Sequence, residues 1–283
     1  MKLTLYSPAP PITRLHELNV MFGKRLAEAG IDNEVVAVPL PDSINRLCDL
    51  PGEERALRLP IVTIADLVPA IEQTGPDWHA YSRPCPDLKL VASLYDVALG
   101  ISITSALIDG PKDLAGQRVF APARPSSVRL LTEALLSDGW GLEGEVELVD
   151  STPLDIGPAI GRGALKATSW NITTLENDGS TTPNVRLGNE RFLPVDQETF
   201  ARLNERLHFK IGSCDLAGTP LLAFRQGIAV WDDTPAQIAE TILGILTGGD
   251  AGPFFCDAGD LAEWPGLPDE NRHPALRSLV GKG

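Results

Sequence analysis

Long apolar runs are missing from these 283 residues, so no stretch has the length to cross a bilayer as a helix. Basic residues are scarce as well: 24 Lys and Arg face 38 Asp and Glu, for a net charge of −14. That field repels phosphate backbones and anionic membrane surfaces, which argues against a nucleic-acid partner and against membrane insertion. The four cysteines (Cys48, Cys85, Cys214, Cys256) show no C-x-x-C spacing and are too few for a disulfide scaffold. They read as free thiols in a reducing compartment, with one bridge left open. His16, His79, His208 and His273 lie too far apart to suggest a metal site, and no cofactor motif is present. A G-x-S-x-G elbow, a P-loop, a G-x-G-x-x-G after a strand and any 20–50-residue repeat are all absent, which removes the common hydrolase, NTPase, dinucleotide and solenoid readings. What remains is 43% hydrophobic and 22% charged, the composition of a globular chain with a sizeable core and a length that suits two domains.

The apolar pattern alternates between short strand-like runs and helical periods, as in chains that build mainly parallel sheets. Leu3 to Tyr6 reads as a strand, Thr13 to Ala29 as a helix burying Leu15, Leu18, Phe22 and Leu26, and Val35 to Val38 as the next strand. A second series runs through Val91–Leu94, Gly100–Thr104 and Val119–Ala121 to a helix capped by Ser126 or Ser127. It continues with Val146–Val149, a helix opened by Ser151-Thr152-Pro153-Leu154-Asp155 and the strand Ala164–Trp170. Glu176 to Pro183 reads as an exposed loop, Leu221–Val230 as a strand, and Thr234-Pro235-Ala236-Gln237 as a capping box before a helix. The last thirty residues are expected to wrap back over a domain surface. Met1 to Tyr6 passes straight into a strand with no apolar leader, so the chain as written is expected in the cytoplasm, or in the periplasm if an export signal was removed.

Two loops invite a ligand. Ser7-Pro8-Ala9-Pro10-Pro11-Ile12-Thr13 follows the carboxyl end of the first strand, where ligands bind in open α/β sheets. Arg124-Pro125-Ser126-Ser127-Val128-Arg129 joins a strand end to a helix start, where free amides, two hydroxyls and a guanidinium can converge on an anion. The bland reading of that second segment, a serine N-cap with solvated arginines, stays open beside it. His16 and Arg14, one turn into the first helix, and Asp96, near a crossover, each read either as cleft residues or as surface groups. Trp170 and Asn171 end a strand where one could stack on a ligand and the other hydrogen-bond it, with core packing as the alternative.

The order of these pieces, across about residues 3 to 247, resembles type 2 periplasmic binding proteins. The resemblance is to the receptors of the TAXI branch of TRAP transporters and the NMT1-like set. It is carried by Asp87–Tyr95, by Asp113-Leu114-Ala115-Gly116-Gln117-Arg118-Val119, by Arg124–Ser127 with Trp140-Gly141-Leu142, by Ala159–Gly163, and by Asp42–Leu47, which is similar to the family's second ligand loop. It implies an α/β, two-lobed architecture with a central ligand cleft and two chain crossovers: residues 1–99 plus 208–283 in one lobe and 100–207 in the other. It also implies hinge closure on a small molecule. Two departures stand out. The family's glycine-rich first loop is replaced by Ser7-Pro8-Ala9-Pro10-Pro11, and the cysteine nucleophile of the related desulfinases is missing there.

Three functions follow as expectations. The first is capture of a small organic anion by Ser7, Pro8, Thr13, Arg14, Ser43, Asp96, Arg124, Ser126, Ser127, Trp170 and Asn171, without cofactor or metal, and with a transporter or another protein as candidate partner. The second is a cytosolic lyase on the same scaffold, such as a decarboxylase or desulfinase, using His16 for proton transfer. The third is a ligand sensor whose closure changes affinity for a partner protein.

Overall fold

The protein is described from a computed structural model, covering residues 2–175, 181–185, 191–248, 254, 264 and 266–280. Alternation starts the chain: in β1 (Leu3–Ser7) Leu3, Leu5 and Ser7 turn inward. Thr13 then caps α1 (Arg14–Glu28), accepting from the His16 amide, and Leu15, Leu18, Phe22 and Leu26 form the helix's buried stripe. Next come β2 (Asn33–Ala37), α2 (Asp42–Cys48), the single turn α3 (Gly52–Arg55), β3 (Arg58–Thr63) and α4 (Ile64–Glu72). β4 (Leu88–Leu99) leads to β5 (Ser102–Ile103), β6 (Arg118–Pro122), α5 (Ser127–Ala134), β7 (Glu147–Ser151), α6 (Pro153–Gly161) and β8 (Ala167–Thr168). The short strands β9 (Thr173–Leu175), β10 (Thr181–Pro183) and β11 (Arg191–Phe192) precede α7 (Gln197–Arg206). The chain ends in β12 (Gly212–Leu216), β13 (Thr219–Trp231), α8 (Ala236–Thr247) and α9 (Pro274–Val280).

Two sheets result. The larger has the order β10-β9-β4-β13-β3-β1-β2, with β12 on β13, and the smaller has the order β11-β5-β8-β6-β7. β1 pairs in parallel with β2 and β3, and β6 with β7 and β8, so each lobe keeps a parallel centre whose carboxyl ends are free for ligand loops. The long strands β4 and β13 run antiparallel from Leu88/Trp231 to Leu99/Leu222. β4 feeds the smaller sheet and β13 lies in the returning segment, so this ribbon is the spine that ties the lobes together. This is a two-lobed α/β architecture. At Gly227 of β13 an added Cβ would come within 2.7 Å of the Ala92 carbonyl oxygen and 2.6 Å of the Trp264 ring, so the spine is closed too tightly there for a side chain.

Several expectations change. Asp42–Leu47, read by resemblance as a ligand loop, is helix α2. Thr234 makes no cap for α8; its hydroxyl accepts from the Trp231 amide and closes the preceding turn. Only Ala167–Thr168 of the segment Ala164–Trp170 is strand. Residues 173–175, expected with residues 100–207, pair with β4 in the larger sheet, and residues 181–183 pair with 173–175 at its edge. Cys48 and Cys85 form a disulfide in place of free thiols, while Cys214 is free. Residues 176–180 of the expected loop, and residues 255–263, 265 and 281–283 of the last thirty, lie outside the described residues. Among the described residues, no helix is long and apolar enough to cross a membrane.

Candidate functional site

Between the carboxyl ends of the two parallel centres lies a cavity of about 480 Å³. One wall is the β1–α1 loop (Pro8 to Ile12) with Leu15, Pro39, Leu40, Thr63, Phe224 and Gln226. The facing wall is Pro122, Ala123, Pro125 to Val128, Ser151 to Leu154 and Trp170, with Ile172 and Asn184 closing the side. Prolines are at home in these positions: Pro8, Pro10 and Pro11 stiffen a turn, and Pro153 opens α6, where a missing N–H costs nothing. Each of these prolines also removes an amide that could have met a ligand. The polar lining consists of hydroxyls and amides, and no described lining residue carries a charge.

The hydroxyls are mostly engaged. Ser126 caps α5, accepting from the Arg129 amide at 3.4 Å. Ser127 donates across the gap to Asp66, whose carboxylate oxygens lie 2.7 and 2.8 Å away. Asp66 is fully buried in the first turn of α4, where it also accepts from the Thr63 hydroxyl at 2.5 Å and the Thr63 amide at 3.3 Å, and from His79 Nε2 at 3.1 Å. With Nε2 facing a carboxylate and Nδ1 unpartnered, His79 is assigned the Nε2–H tautomer. Tyr81 also reaches Asp66, and burial first, then that carboxylate, push its phenol well above the ordinary range. Trp170 donates from Nε1 to Ser151 Oγ at 3.0 Å, and Ser151 donates to the Ala121 carbonyl, which fixes the indole against the cavity. Behind Gln226, the buried Tyr95 hydroxyl lies within hydrogen-bond reach of Gln226 Oε1 and, at 2.9 Å, of Asn19 Oδ1, its single hydrogen serving one of them at a time, with its pKa raised far by burial.

Of the residues singled out from sequence, Pro8, Ser126, Ser127 and Trp170 line this cavity. The others are placed elsewhere. Arg124 turns away from the lining: it forms a bidentate pair with Glu133 (2.7 and 2.8 Å) and lies 4.5 Å above the Trp78 ring. Ser7 is fully buried, accepts from Asn19 Nδ2 at 2.9 Å and pairs with His16 Nδ1 at 3.2 Å, so both Ser7 and His16 sit behind the loop. Thr13 is the α1 cap, and Arg14 ion-pairs with Glu17. Ser43 is buried in α2 with its hydroxyl unpartnered. Asp96 pairs with Arg225 at 2.9 Å on a second, smaller cavity of about 230 Å³. Asn171 is buried away from the lining because extended chain alternates: Trp170 and Ile172 face the cavity, and the residue between them does not.

Sequence reasoning missed Thr63, Phe224, Gln226 and Asn184. A Thr63-x-x-Asp66 capping pattern before an apolar run was the readable signal for the Asp66 cluster; nothing local marks the other three. Asn184 has the most to offer a ligand. Its Oδ1 accepts from the Leu15 amide at 3.3 Å, which fixes the rotation of the amide, and its Nδ2 has no partner.

No protein-family model matches the sequence, and no curated protein matches it. Solved structures do match. An adipate-bound protein of R. palustris shares 17% identity at a TM-score of 0.58, covering 99% of this chain and 94% of its own. The malate-bound MatC of Rhodopseudomonas palustris shares 13% at 0.55, covering 99% and 97%. A structure described as a periplasmic transporter shares 11% at 0.56, covering 99% and 94%. At these identities the likeness shows the fold: this chain has the type 2 periplasmic-binding-protein fold, with nothing that singles out the TAXI branch.

Proposed function

We propose that this chain is a small-molecule binding protein whose two lobes close on one ligand in the 480 Å³ cavity. The observation that carries the reading is that this cavity is walled by loops from both sheets at the carboxyl ends of their parallel strands. A ligand there touches both lobes, and only the closed arrangement gives it both sets of contacts, so binding favours closure. The division into residues 1–99 plus 208–283 and 100–207 goes with this reading, with the 173–183 segment reaching back to the first lobe.

The described lining supplies apolar surface, hydroxyls and amides, and His16 is held on Ser7 behind the wall, which favours capture over proton-transfer chemistry. The adipate- and malate-bound relatives by fold support an organic acid as one candidate ligand. The Cys48–Cys85 disulfide supports an oxidising compartment, and hence the periplasmic setting in which such a receptor hands its ligand to a transporter.

Native mass spectrometry of the purified protein, before and after long incubation, tests the reading. A one-to-one adduct whose mass is unchanged is the expected result. Conversion of the bound molecule into product would overturn capture in favour of an enzyme.

A further inference from the structure

The chemistry of the ligand can be read one step further, on the premise that the cavity is a capture site. We infer that the ligand has an apolar body and a single hydrogen-bond-accepting head, held by Asn184 Nδ2, and that the cavity discriminates against compact dicarboxylates. Three independent features carry this.

The first is what the wall cannot do. Pro8, Pro10 and Pro11 on one side and Pro122, Pro125 and Pro153 on the other have no N–H to donate, and no described lining residue is a cation. At the two helix starts on the second lobe, side chains that could meet a ligand are already engaged by the protein's own carboxylates. Asp66 sits on Ser127 at the start of α5, and Asp155 accepts from the Thr152 amide and hydroxyl (2.7 and 2.8 Å) at the start of α6. A second carboxylate on a ligand would be stripped of water and meet no cation among the described lining residues.

The second is what the wall offers. Phe224, Ile172 and the Trp170 ring form an apolar floor, and Ile12 and Leu154 stand on opposite lips, 53% and 70% exposed, large apolar side chains in water that a bound apolar body would cover.

The third is a buried side-chain donor, Asn184 Nδ2, that belongs to a described lining residue and has no partner. Of the two amide atoms only the oxygen can meet the Leu15 N–H, so the nitrogen is the atom left over, shielded from solvent on a residue that lines the cavity. A buried donor lacks a partner only until something brings an acceptor to it.

Calorimetric titration with octanoate, octanamide, adipate and malate tests the inference. The same titration on Asn184→Asp keeps the acceptor for Leu15 and removes the donor. Octanoate and octanamide are expected to bind the wild type one to one, with adipate and malate at least tenfold weaker. Asn184→Asp is expected to weaken octanamide at least fivefold and octanoate more, because the new carboxylate repels an anion. Adipate or malate binding as tightly as octanoate, or octanamide binding Asn184→Asp unchanged, overturns the inference and leaves capture standing. No binding by any of the four, with no small molecule co-purifying, overturns capture itself.

Discussion

Asp66 and Ser127 together show how a polar residue flagged for a ligand can belong to the protein's own closure. A carboxylate with no solvent contact needs donors on both oxygens, and this one draws them from Thr63 and His79 in its own lobe and from Ser127 in the other. Ser127 was legible as a special position, because a Ser-Ser pair before a helical period marks a helix start, but its partner lies 61 residues away and no local pattern names it. Arg124 repeats the lesson: its guanidinium meets Glu133 two turns along and the Trp78 ring from a distant segment, where sequence alone left it equally free to meet an anion. The Ser127–Asp66 and Arg124–Trp78 contacts, unlike the Arg124–Glu133 pair, join segments far apart in sequence. Urea denaturation is expected to show Asp66→Ala losing about 3–5 kcal/mol, since it leaves several buried donors unmatched. Ser127→Ala is expected to lose about 1–2 kcal/mol, since Asp66 keeps its other donors. Equal losses from the two would show that the carboxylate has no special role.

At the scale of elements, periodicity and caps made most of the fold readable. Thr13 before α1, Ser126 before α5 and Pro153 in the first turn of α6 were all visible as starts, because a cap and its helix are neighbours in sequence. The segment 58–72, which supplies β3, α4 and Asp66, was not assigned, since its nearly continuous burial has no period to detect. Asp196 makes the cap argument testable. Its oxygen accepts from the Thr199 amide at 2.8 Å, and that amide bond, with Thr199's side chain next, holds the carboxyl below its usual 3.8. A lowered carboxylate pKa means stability that is present above about pH 4 and lost as pH falls through the folded value. Asp196→Ala is therefore expected to lower the melting temperature by about 2–4 °C at pH 7. At a pH low enough to protonate the cap in the folded wild type, little difference should remain; a difference independent of pH would assign the effect to packing.

For the whole molecule, the two-lobed plan was legible from the order of weak motifs, while the cavity's character was not. Its floor joins Trp170 and Ile172 to Phe224 and Gln226, brought together by strands that meet only in the finished sheets. The disulfide was equally hidden, because 37 residues separate Cys48 from Cys85 and spacing says nothing about their approach. A loop of that length predicts a stabilisation of about 4 kcal/mol from the restricted unfolded chain. Cys48→Ser should lower stability by about that amount under non-reducing conditions and abolish the effect of added reductant. Cys214 offers the contrast: burial, then the nearby Asp96 and Asp215 carboxylates, push its thiol up to about 11, so iodoacetamide should label it slowly at pH 8 and faster as pH rises toward that value. Rapid labelling of Cys48 or Cys85 before reduction would contradict the pairing.

The claim underneath all of this is that one molecule sits between the Pro8–Ile12 loop and the wall that includes Ala123. Ala123 is exposed and lines that gap, so Ala123→Trp puts an indole where the ligand would lie without disturbing the buried core. Native mass spectrometry of wild type and Ala123→Trp, purified side by side, is the most direct measurement. The account predicts a single small-molecule adduct on the wild type and its loss from the variant, whereas the same adduct on both would place the ligand elsewhere and contradict it.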